Sequence, residues 1–415
     1  KRQGRRMPWY TPANTTETRN IRNLYTETLW FGVLNGLVMT FVSVFALRLG
    51  ATTGQMGWLA ALPALVNVVW LIPAARIIER RRRRMPIMVV TGILQRAGYL
   101  VMAAMPFVFA TGRVEALIVI NTLIMLPTGV INTAVTSIIP DLTTPERRGH
   151  VVRVRWLVLS AVATVAALLG GWFLDLLPSP LNYQVLLGLG ATLSLFGMRY
   201  LRRIREPSSV SERRSDEPGQ RYSLRRLRKS LIGFASHRMF IRFAVTSFVF
   251  YAGLYLPAAL WSILRVRDLG ASDSWIGIIA VTVNVSTIVG YFFWDKISAR
   301  RGDRWLLRVG AFGVAAYALL TAFVPTIGWM IPTSILGGLA WSACNLALFR
   351  ILLDVCPQER RPTYVALYTA LLNIAAFAAP LVGTILSDWI GIRQAFIASG
   401  ALRGVAALLF VWLVR

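Results

Sequence analysis

The sequence contains 415 residues, of which 56% are hydrophobic and 15% are charged, and its mean hydropathy is +0.57. This composition is too apolar for an ordinary soluble enzyme or binding module, and it indicates a membrane protein. The net charge of +27 would suggest a polyanionic partner in a soluble protein. In a membrane protein, basic residues first report which side of the bilayer each loop occupies.

Apolar stretches long enough to cross a hydrocarbon core recur along the chain, since a spanning helix needs about 20 residues. The pattern predicts twelve spans in two sets of six. The first set runs from Glu27 to Leu47, Met56 to Ala75, Met85 to Ala110, Glu115 to Pro140, Val152 to Leu176 and Leu181 to Leu201. The second set runs from Phe240 to Leu264, Trp275 to Asp295, Trp305 to Pro325, Gly328 to Leu353, Thr363 to Leu386 and Gln394 to Val414.

A polar segment rich in Arg, Ser and Glu separates the two sets, and its Pro and Gly residues are typical of a linker. The predicted organisation is an N-terminal tail, a six-helix bundle, a cytoplasmic linker and a second six-helix bundle. These four parts cover residues 1–25, 26–201, 202–238 and 239–415. We therefore expect an all-α, multi-pass membrane protein.

The basic residues predict the orientation of the spans. If both termini lie on one side, most of the 45 Lys and Arg residues lie there too. The opposite side then receives only Arg48, Arg113, Arg265, Arg267 and Arg393. Because an excess of basic residues marks the cytoplasmic face, we expect both termini in the cytoplasm. The membrane we expect is a bacterial plasma (inner) membrane.

The two sets of spans also repeat each other. An offset of 213 positions aligns Asp141 to His150 with Asp354 to Thr363, and an offset of 220 aligns Ala75 to Arg84 with Asp295 to Arg304. The matched loops lie on the same side of the predicted membrane, so the repeats are parallel. Their pseudo-twofold axis should run along the membrane normal.

Twelve spans in two parallel halves with basic 2–3 and 8–9 loops resemble the major facilitator superfamily of secondary transporters over nearly the whole chain. The loop motif of that family is G-x-x-x-D-[RK]-x-G-[RK]-[RK], and both copies here are degenerate: Glu79 stands at the Asp position of the first, and Asp295 at the leading Gly position of the second. The candidate gate and loop-motif residues are Glu79, Arg80, Arg84, Asp295, Arg300, Gly302 and Arg304.

The arginine run from Arg80 to Arg84 lies in the first of these loops, directly before an apolar span. A nucleic-acid-binding arm would place such a run in a flexible polar tail, so we expect no nucleic-acid partner. One hypothesis is that the run only fixes topology and meets anionic lipid headgroups at the cytoplasmic face. The family resemblance implies a second hypothesis, in which Glu79 and Arg80 belong to a charge cluster that locks one conformation of an alternating-access cycle.

The resemblance also implies a central cavity lined by spans 1, 2, 4, 5, 7, 8, 10 and 11. Polar and aromatic residues on these spans are the candidate substrate-binding residues. They are Asn35, Asn132, Tyr251, Tyr255, Trp261, Trp341, Asn345, Tyr368 and Asn373. Amides and aromatic hydroxyls suit an amphipathic organic solute better than a bare ion. The alternative for each asparagine is that it bridges two helices.

Two charged residues are candidates for coupling. Arg96 lies eleven residues into span 3, about 16 Å from its cytoplasmic end, where an unpaired guanidinium is expensive. It is either an anion-attracting network residue or a partner of carbonyls and amides such as Asn67 or Asn121. No acidic residue is predicted at mid-membrane, so Glu27, at the cytoplasmic start of span 1, is the one candidate proton site. Its alternative role is that of a first-turn acid favoured by the helix dipole.

Other chemistry has no motif to support it. The sequence lacks G-x-x-x-x-G-K-[ST] and G-x-S-x-G and has no His in any span, so we expect no catalytic activity, no cofactor and no metal. The antiporter signature implied by the resemblance is also missing, because residues 166–171 are AALLGG.

The favoured hypothesis is alternating-access transport of a small amphipathic organic solute, either facilitated or weakly proton-coupled, with export favoured over import. The competing hypothesis is a non-transporting subunit or assembly factor that uses the same fold as a scaffold for other membrane subunits. A polar, water-accessible cavity favours transport, and a cavity filled by large side chains favours the scaffold.

Overall fold

The computed structural model describes residues 15–79, 83–206, 237–357 and 361–413, which are almost entirely helical. Most of the predicted linker (207–236) and of the arginine run (80–82) lies outside these residues. The twelve long helices are α1 (Thr15–Leu34, Asn35–Met39 and Val42–Arg48), α2 (Thr53–Glu79), α3 (Met85–Val108), α4 (Arg113–Leu142), α5 (Pro145–Leu174), α6 (Leu181–Arg202), α7 (Arg238–Tyr255, Leu260–Ile263 and Leu264–Asp268), α8 (Asp273–Arg301), α9 (Asp303–Ala322), α10 (Met330–Val355), α11 (Arg361–Ile390) and α12 (Ile392–Leu413).

Eleven of these helices are long and apolar enough to cross a membrane, and α2, with 27 residues, is the twelfth long helix of the described chain. The predicted all-α membrane fold is confirmed. Several helices extend past the predicted spans, because a helix continues beyond the hydrocarbon core wherever capping and side-chain pairs support it. For example, α5 begins at Pro145 rather than Val152, so Arg147 and Arg148, which the predicted bounds placed in a loop, lie on a helix.

Helices within each half pack on one another, and two helix pairs join the halves. In the first half α1 packs on α5 and α6, and in the second half α7 packs on α11 and α12. The halves meet where α2 packs on α11 and where α5 packs on α8. The repeat relates one interface to the other, since α8 in the second half corresponds to α2 in the first and α11 corresponds to α5. This arrangement agrees with parallel repeats about a pseudo-twofold axis.

The repeat is also visible in the backbone. Gly50 and Gly270, which are 220 positions apart, follow α1 and α7 with φ of +91° and +62°. Glycine suits both turns because it adopts the left-handed region without a Cβ clash. Nearby, the hydroxyls of Ser43 and Ser262 lie 2.9 Å apart across the halves. Their separation of 219 positions is close to the repeat offset, so the axis passes near this contact.

The two ends of the molecule differ in how the halves touch. We call the end that holds the α1–α2 and α7–α8 connections the outer end, following the predicted topology, and the opposite end the cytoplasmic end. Hydrogen bonds and ion pairs between the halves cluster at the outer end, where Arg48 lies 3.5 Å from Asp273 and Arg267 donates to the Ala51 carbonyl. The structure is therefore closed at its outer end.

Candidate functional site

A cavity of about 460 Å³ lies between α1 and the second half of the chain. Three of the predicted substrate-binding residues line it: Asn35, Trp261 and Trp341. Its size falls within the range of about 300–1,000 Å³ typical of sites for small organic ligands.

A local distortion of α1 brings Asn35 to this cavity. The segment Asn35–Met39 forms a π-turn in which the N–H and hydroxyl of Thr40 both donate to the Asn35 carbonyl at 3.2 Å. Such π-turns are frequent at functional sites because they add a residue to one face of a helix. The neighbouring Gly36 lets α1 approach α5 closely, since a Cβ there would overlap the Ala163 carbonyl. Asn35 is thus held at the junction of the two halves.

A break in α7 shapes the other side of the cavity. Pro257 has no N–H, so the Gly253 carbonyl loses its usual partner four residues later. The Ser399 hydroxyl at 2.8 Å and the Arg403 Nε at 3.1 Å donate to this carbonyl instead. Arg403 also donates to the Val314 carbonyl at 3.1 Å and is 1% exposed. One buried guanidinium therefore joins α7, α9 and α12 around the break.

Aromatic rings form one wall of the site. The Tyr251 ring centre lies 5.8 Å from that of Tyr255 and 6.3 Å from that of Trp341. Beyond the break, Trp261 stacks on Tyr317 at 4.8 Å. Trp261 and Trp341 thus line the cavity, and Tyr251 and Tyr255 extend the aromatic cluster behind Trp341.

The remaining predicted substrate-binding residues lie elsewhere. Asn345 donates to the Tyr291 hydroxyl at 2.6 Å and so bridges α8 and α10. Asn373 donates to the Thr369 carbonyl of its own helix at 2.9 Å. Tyr368 is buried in the core of the second half, and Asn132 is exposed on α4. Their role in substrate binding stays a prediction.

The two candidate coupling residues meet in the first half. Arg96 is 1% exposed, and its Nη2 lies 3.4 Å from Glu27 Oε1. Its Nη1 donates to Gln95 Oε1 at 3.1 Å. Arg96 also donates to the Gly92 carbonyl at 3.3 Å. A carbonyl and an amide are thus among its partners, but they belong to Gly92 and Gln95 rather than to Asn67 or Asn121, because the guanidinium points back towards the preceding turn, as helical side chains do.

The depth of Glu27 also differs from the expectation. The described part of α1 begins twelve residues earlier, at Thr15, so Glu27 is not a first-turn acid. Its side chain is largely buried, and Arg155 of α5 reaches the same region by donating to the Thr28 hydroxyl at 3.2 Å. The first half therefore contains a buried carboxylate beside two guanidinium groups.

The cytoplasmic end carries one charge cluster in each half. In the first half, Arg84 pairs with Asp141 at 2.5 Å, and Glu206 accepts the Arg84 N–H at 2.7 Å. In the second half, the loop-motif residue Asp295 pairs with Arg350 at 2.5 Å. The loop residues of the two clusters have opposite charges, because the first repeat uses the basic Arg84 and the second uses the acidic Asp295.

The other candidate gate residues take no described part in these clusters. Arg300 and Arg304 are exposed, and Gly302 forms the turn between α8 and α9 with φ of +82°. The Glu79 side chain and Arg80 lie outside the described residues. The hypothesis that they lock one conformation stays a prediction.

A polar network closes the outer end. Asp273, at the start of α8, accepts the Tyr183 hydroxyl at 2.5 Å. Asp175, after the end of α5, accepts the N–H groups of Asp273 and Ser274 at 2.9 and 3.0 Å. Burial by itself would raise the pKa of Asp175, but the hydrogen bonds from Ser274 and Asp273 outweigh it and hold the pKa below its usual value. An ionised Asp175 thus caps the N-terminus of α8 from the opposite half.

Sequence reasoning missed several polar residues of the cavity, namely Arg265, Asn284, Tyr317 and Arg403, and Arg265 is the most informative of them. Arg265 was expected in an outer loop, but α7 continues to Asp268 and Arg265 lines the cavity. The available signal was the spacing of four between Trp261 and Arg265, which places both on one helical face. The guanidinium carbon lies 5.3 Å from the Trp261 ring centre.

Comparison with known proteins gives a family match over most of the chain. The model described as Major Facilitator Superfamily matches residues 28–264 and 243–415. Multidrug resistance protein MdtG of Proteus mirabilis (strain HI4320) is 24% identical over 182 residues, which are 40% of this chain and 44% of that protein. An uncharacterised MFS-type transporter of Methanocaldococcus jannaschii is 22% identical over 165 residues, which are 40% and 42% of the two chains. The chain thus spans less than half the length of the curated relatives it matches.

Solved structures share the fold over nearly the whole chain. A D-xylose–proton symporter superposes with a TM-score of 0.74 at 15% identity and covers 97% of this chain and 98% of its own. A mutant of the nucleoside transporter NupG gives 0.73 at 14% identity, with 96% and 100% covered. A bacterial homologue of the human lysosomal transporter Spinster, inward-facing and unoccupied, gives 0.74 at 14%, with 97% and 98% covered.

Proposed function

This chain belongs to the major facilitator superfamily and is a transporter of that family, and from this premise we propose that it moves a small amphipathic organic solute through the cavity beside α1. The observation that carries the proposal is the cavity itself, which lies between the halves and has amide and aromatic side chains on its walls. A scaffold protein would have no need to keep such a space. The names of the relatives, a multidrug resistance protein and a xylose symporter among them, also support an organic solute.

Alternating access supplies the mechanism. The structure is closed at its outer end by Asp273 and its partners, and rocking of the halves would open that end while closing the cytoplasmic end. The interfaces of α2 with α11 and of α5 with α8 are the surfaces on which the halves would turn. The cavity would then face each side in turn.

Coupling to protons is proposed to be weak or absent. Glu27 already serves as the counter-charge of the buried Arg96, at 3.4 Å. Facilitated transport needs no proton site. Glu27 remains the proposed site of whatever coupling exists.

The surroundings of the protein follow from its charge. We propose a bacterial plasma membrane with both termini in the cytoplasm, supported by the unequal distribution of basic residues. Anionic lipid headgroups would meet the basic cytoplasmic face. Export is proposed over import, which the name of the multidrug resistance relative supports.

The test begins with the purified protein in detergent. A panel of sugars, nucleosides and aromatic acids, amides and amines is screened for compounds that raise the melting temperature, since a ligand of the folded state stabilises it by mass action. Each hit is then measured for saturable flux in proteoliposomes.

Trp341→Ala should weaken binding of a hit by about tenfold, because a buried aromatic contact contributes on the order of 1 kcal/mol or more. Leu408→Ala on α12, where the side chain is 51% exposed, is the matched control and should leave binding unchanged. Equal effects of the two substitutions, or saturable flux of no compound class, would contradict the proposed function.

A further inference from the structure

The cavity holds two basic side chains and no acidic one. Arg265 and Arg403 both line it, and the described lining residues include neither Asp nor Glu. Neither arginine forms an ion pair within the described chain, in contrast to Arg48, Arg84, Arg96 and Arg350. The site therefore has an uncompensated positive charge in a region from which much of the water is excluded.

The first half contains a buried arginine that has an acidic partner. Arg96 has Glu27 at 3.4 Å and an amide oxygen at 3.1 Å. A charge taken out of water is usually paired in this way, because desolvation costs several kcal/mol or more unless a partner offsets it. The two cavity arginines break that pattern.

The two cavity arginines differ in how free they are to bind. Arg403 uses its N–H groups on the carbonyls of Gly253, Leu254 and Val314, so it holds the break in α7 and contributes mainly positive potential. Arg265 is different, because no carboxylate or backbone carbonyl of the described chain accepts from it: its guanidinium interacts with the Tyr317 side chain, and its buried Nε has no hydrogen-bond partner. A buried donor without an acceptor is costly, and a bound acceptor would remove that cost.

The neighbours of Arg265 indicate the shape of the bound molecule. The guanidinium lies 5.3 Å from the Trp261 ring centre, and Trp261 stacks on Tyr317 at 4.8 Å. These rings provide a flat apolar surface directly beside the charge. Asn35 and Asn284 supply amide groups elsewhere on the lining.

We propose that the cavity binds an organic anion, with a carboxylate or similar acidic group on Arg265 and an aromatic or other flat apolar body against Trp261. Arg265 suits this role because the guanidinium fork matches the two oxygens of a carboxylate. This inference rests on the proposed transport function and adds the charge of its substrate. Neutral sugars and organic cations would be poor substrates of this site.

The experiment compares three probes that share one ring system. Binding of 2-naphthoate, 2-naphthamide and 2-naphthylmethylammonium to the purified full-length protein is measured by titration calorimetry in detergent. We expect the carboxylate to bind at least about tenfold more tightly than the amide, since a charge-assisted hydrogen bond is about twice as strong as a neutral one. The ammonium compound should bind most weakly.

Variants of Arg265 then locate the effect. Arg265→Gln should weaken 2-naphthoate binding by about tenfold or more and leave 2-naphthamide binding nearly unchanged. Arg265→Lys, which keeps the charge, should recover part of the loss. Arg393→Gln, which removes an arginine that donates to the Ala322 carbonyl away from the cavity, is the matched control and should change neither value. The comparison of the three probes uses the wild-type protein, so its result does not depend on whether a variant folds.

Three results would overturn the inference. They are equal affinity for the carboxylate and the amide, tighter binding of the ammonium compound, and an unchanged 2-naphthoate affinity in Arg265→Gln. If the amide or ammonium compound binds and Trp341→Ala weakens that binding, the proposal of transport through this cavity is retained and only the preference for an anion is refuted. If no probe binds and the wider screen finds no transported solute, the proposed function fails as well.

Discussion

Asp273→Asn is expected to open the outer end of the protein. The side chain of Asp273 is buried, accepts the Tyr183 hydroxyl at 2.5 Å and lies 3.5 Å from Arg48. A hydrogen bond to a charged group contributes about 1.5–3 kcal/mol, and an ion pair with a partly exposed arginine adds at most about 1 kcal/mol. Asparagine retains a neutral hydrogen bond of about 1 kcal/mol. The net loss of about 2 kcal/mol changes the ratio of closed to open molecules about 30-fold.

Accessibility of a cavity cysteine measures this shift. Asn284→Cys, which lines the cavity, is introduced after the two buried native cysteines, Cys344 and Cys356, are replaced by alanine. A membrane-impermeant maleimide added outside should label it up to about 30-fold faster in the Asp273→Asn background, in proportion to the open population. Asp388→Asn, at an exposed outer position of α11, is the control. Labelling at the same rate in both backgrounds would show that the network does not set the closed state.

Two further predictions concern the buried charges. In proteoliposomes with an imposed pH gradient, the solute identified by the screen should accumulate far less than the roughly tenfold per pH unit that one-to-one proton coupling allows. Glu27→Gln should abolish whatever accumulation occurs. Strong accumulation that survives the substitution would refute weak coupling. Arg403→Met should lower the free energy of unfolding by about 1–3 kcal/mol, because the Gly253 carbonyl, which has no N–H partner at Pro257, loses a buried donor. A melting temperature equal to that of the wild-type protein in differential scanning calorimetry would refute the role of Arg403 in the α7 break.

The helices and their order were predictable because they depend on local composition. Span length follows from bilayer thickness and orientation from the basic residues, and neither requires knowledge of tertiary contacts. The offset of 220, which aligns the two loop motifs, also relates Gly50 to Gly270, and both have positive φ in the structure. Helix ends were less accurate, since α1 and α5 extend past the apolar residues that defined their spans.

The site was less predictable because distortions of the helices decide which residues reach the cavity, and the amino-acid composition does not indicate these distortions. Asn35 reaches the cavity through a π-turn, and Arg265 reaches it because α7 continues for a turn beyond its predicted end. The Glu27–Arg96 pair joins residues 69 positions apart on α1 and α3. Periodicity identifies the face of a helix but not which face of another helix it meets, so the partner of Arg96 was named wrongly.

The two halves of the protein have the same fold but treat buried charge differently, and this difference connects the proposals. The first half neutralises Arg96 with Glu27, whereas the second half leaves Arg265 and Arg403 without a carboxylate. If the solute supplies the counter-charge, the positive charge of the cavity is neutralised only while the solute is bound. If that solute moves as an anion without a compensating proton, a potential of 100 mV, negative inside, favours its exit by about 50-fold. Export then requires no dedicated proton site, which agrees with the pairing of Glu27, the buried carboxylate of α1, with an arginine.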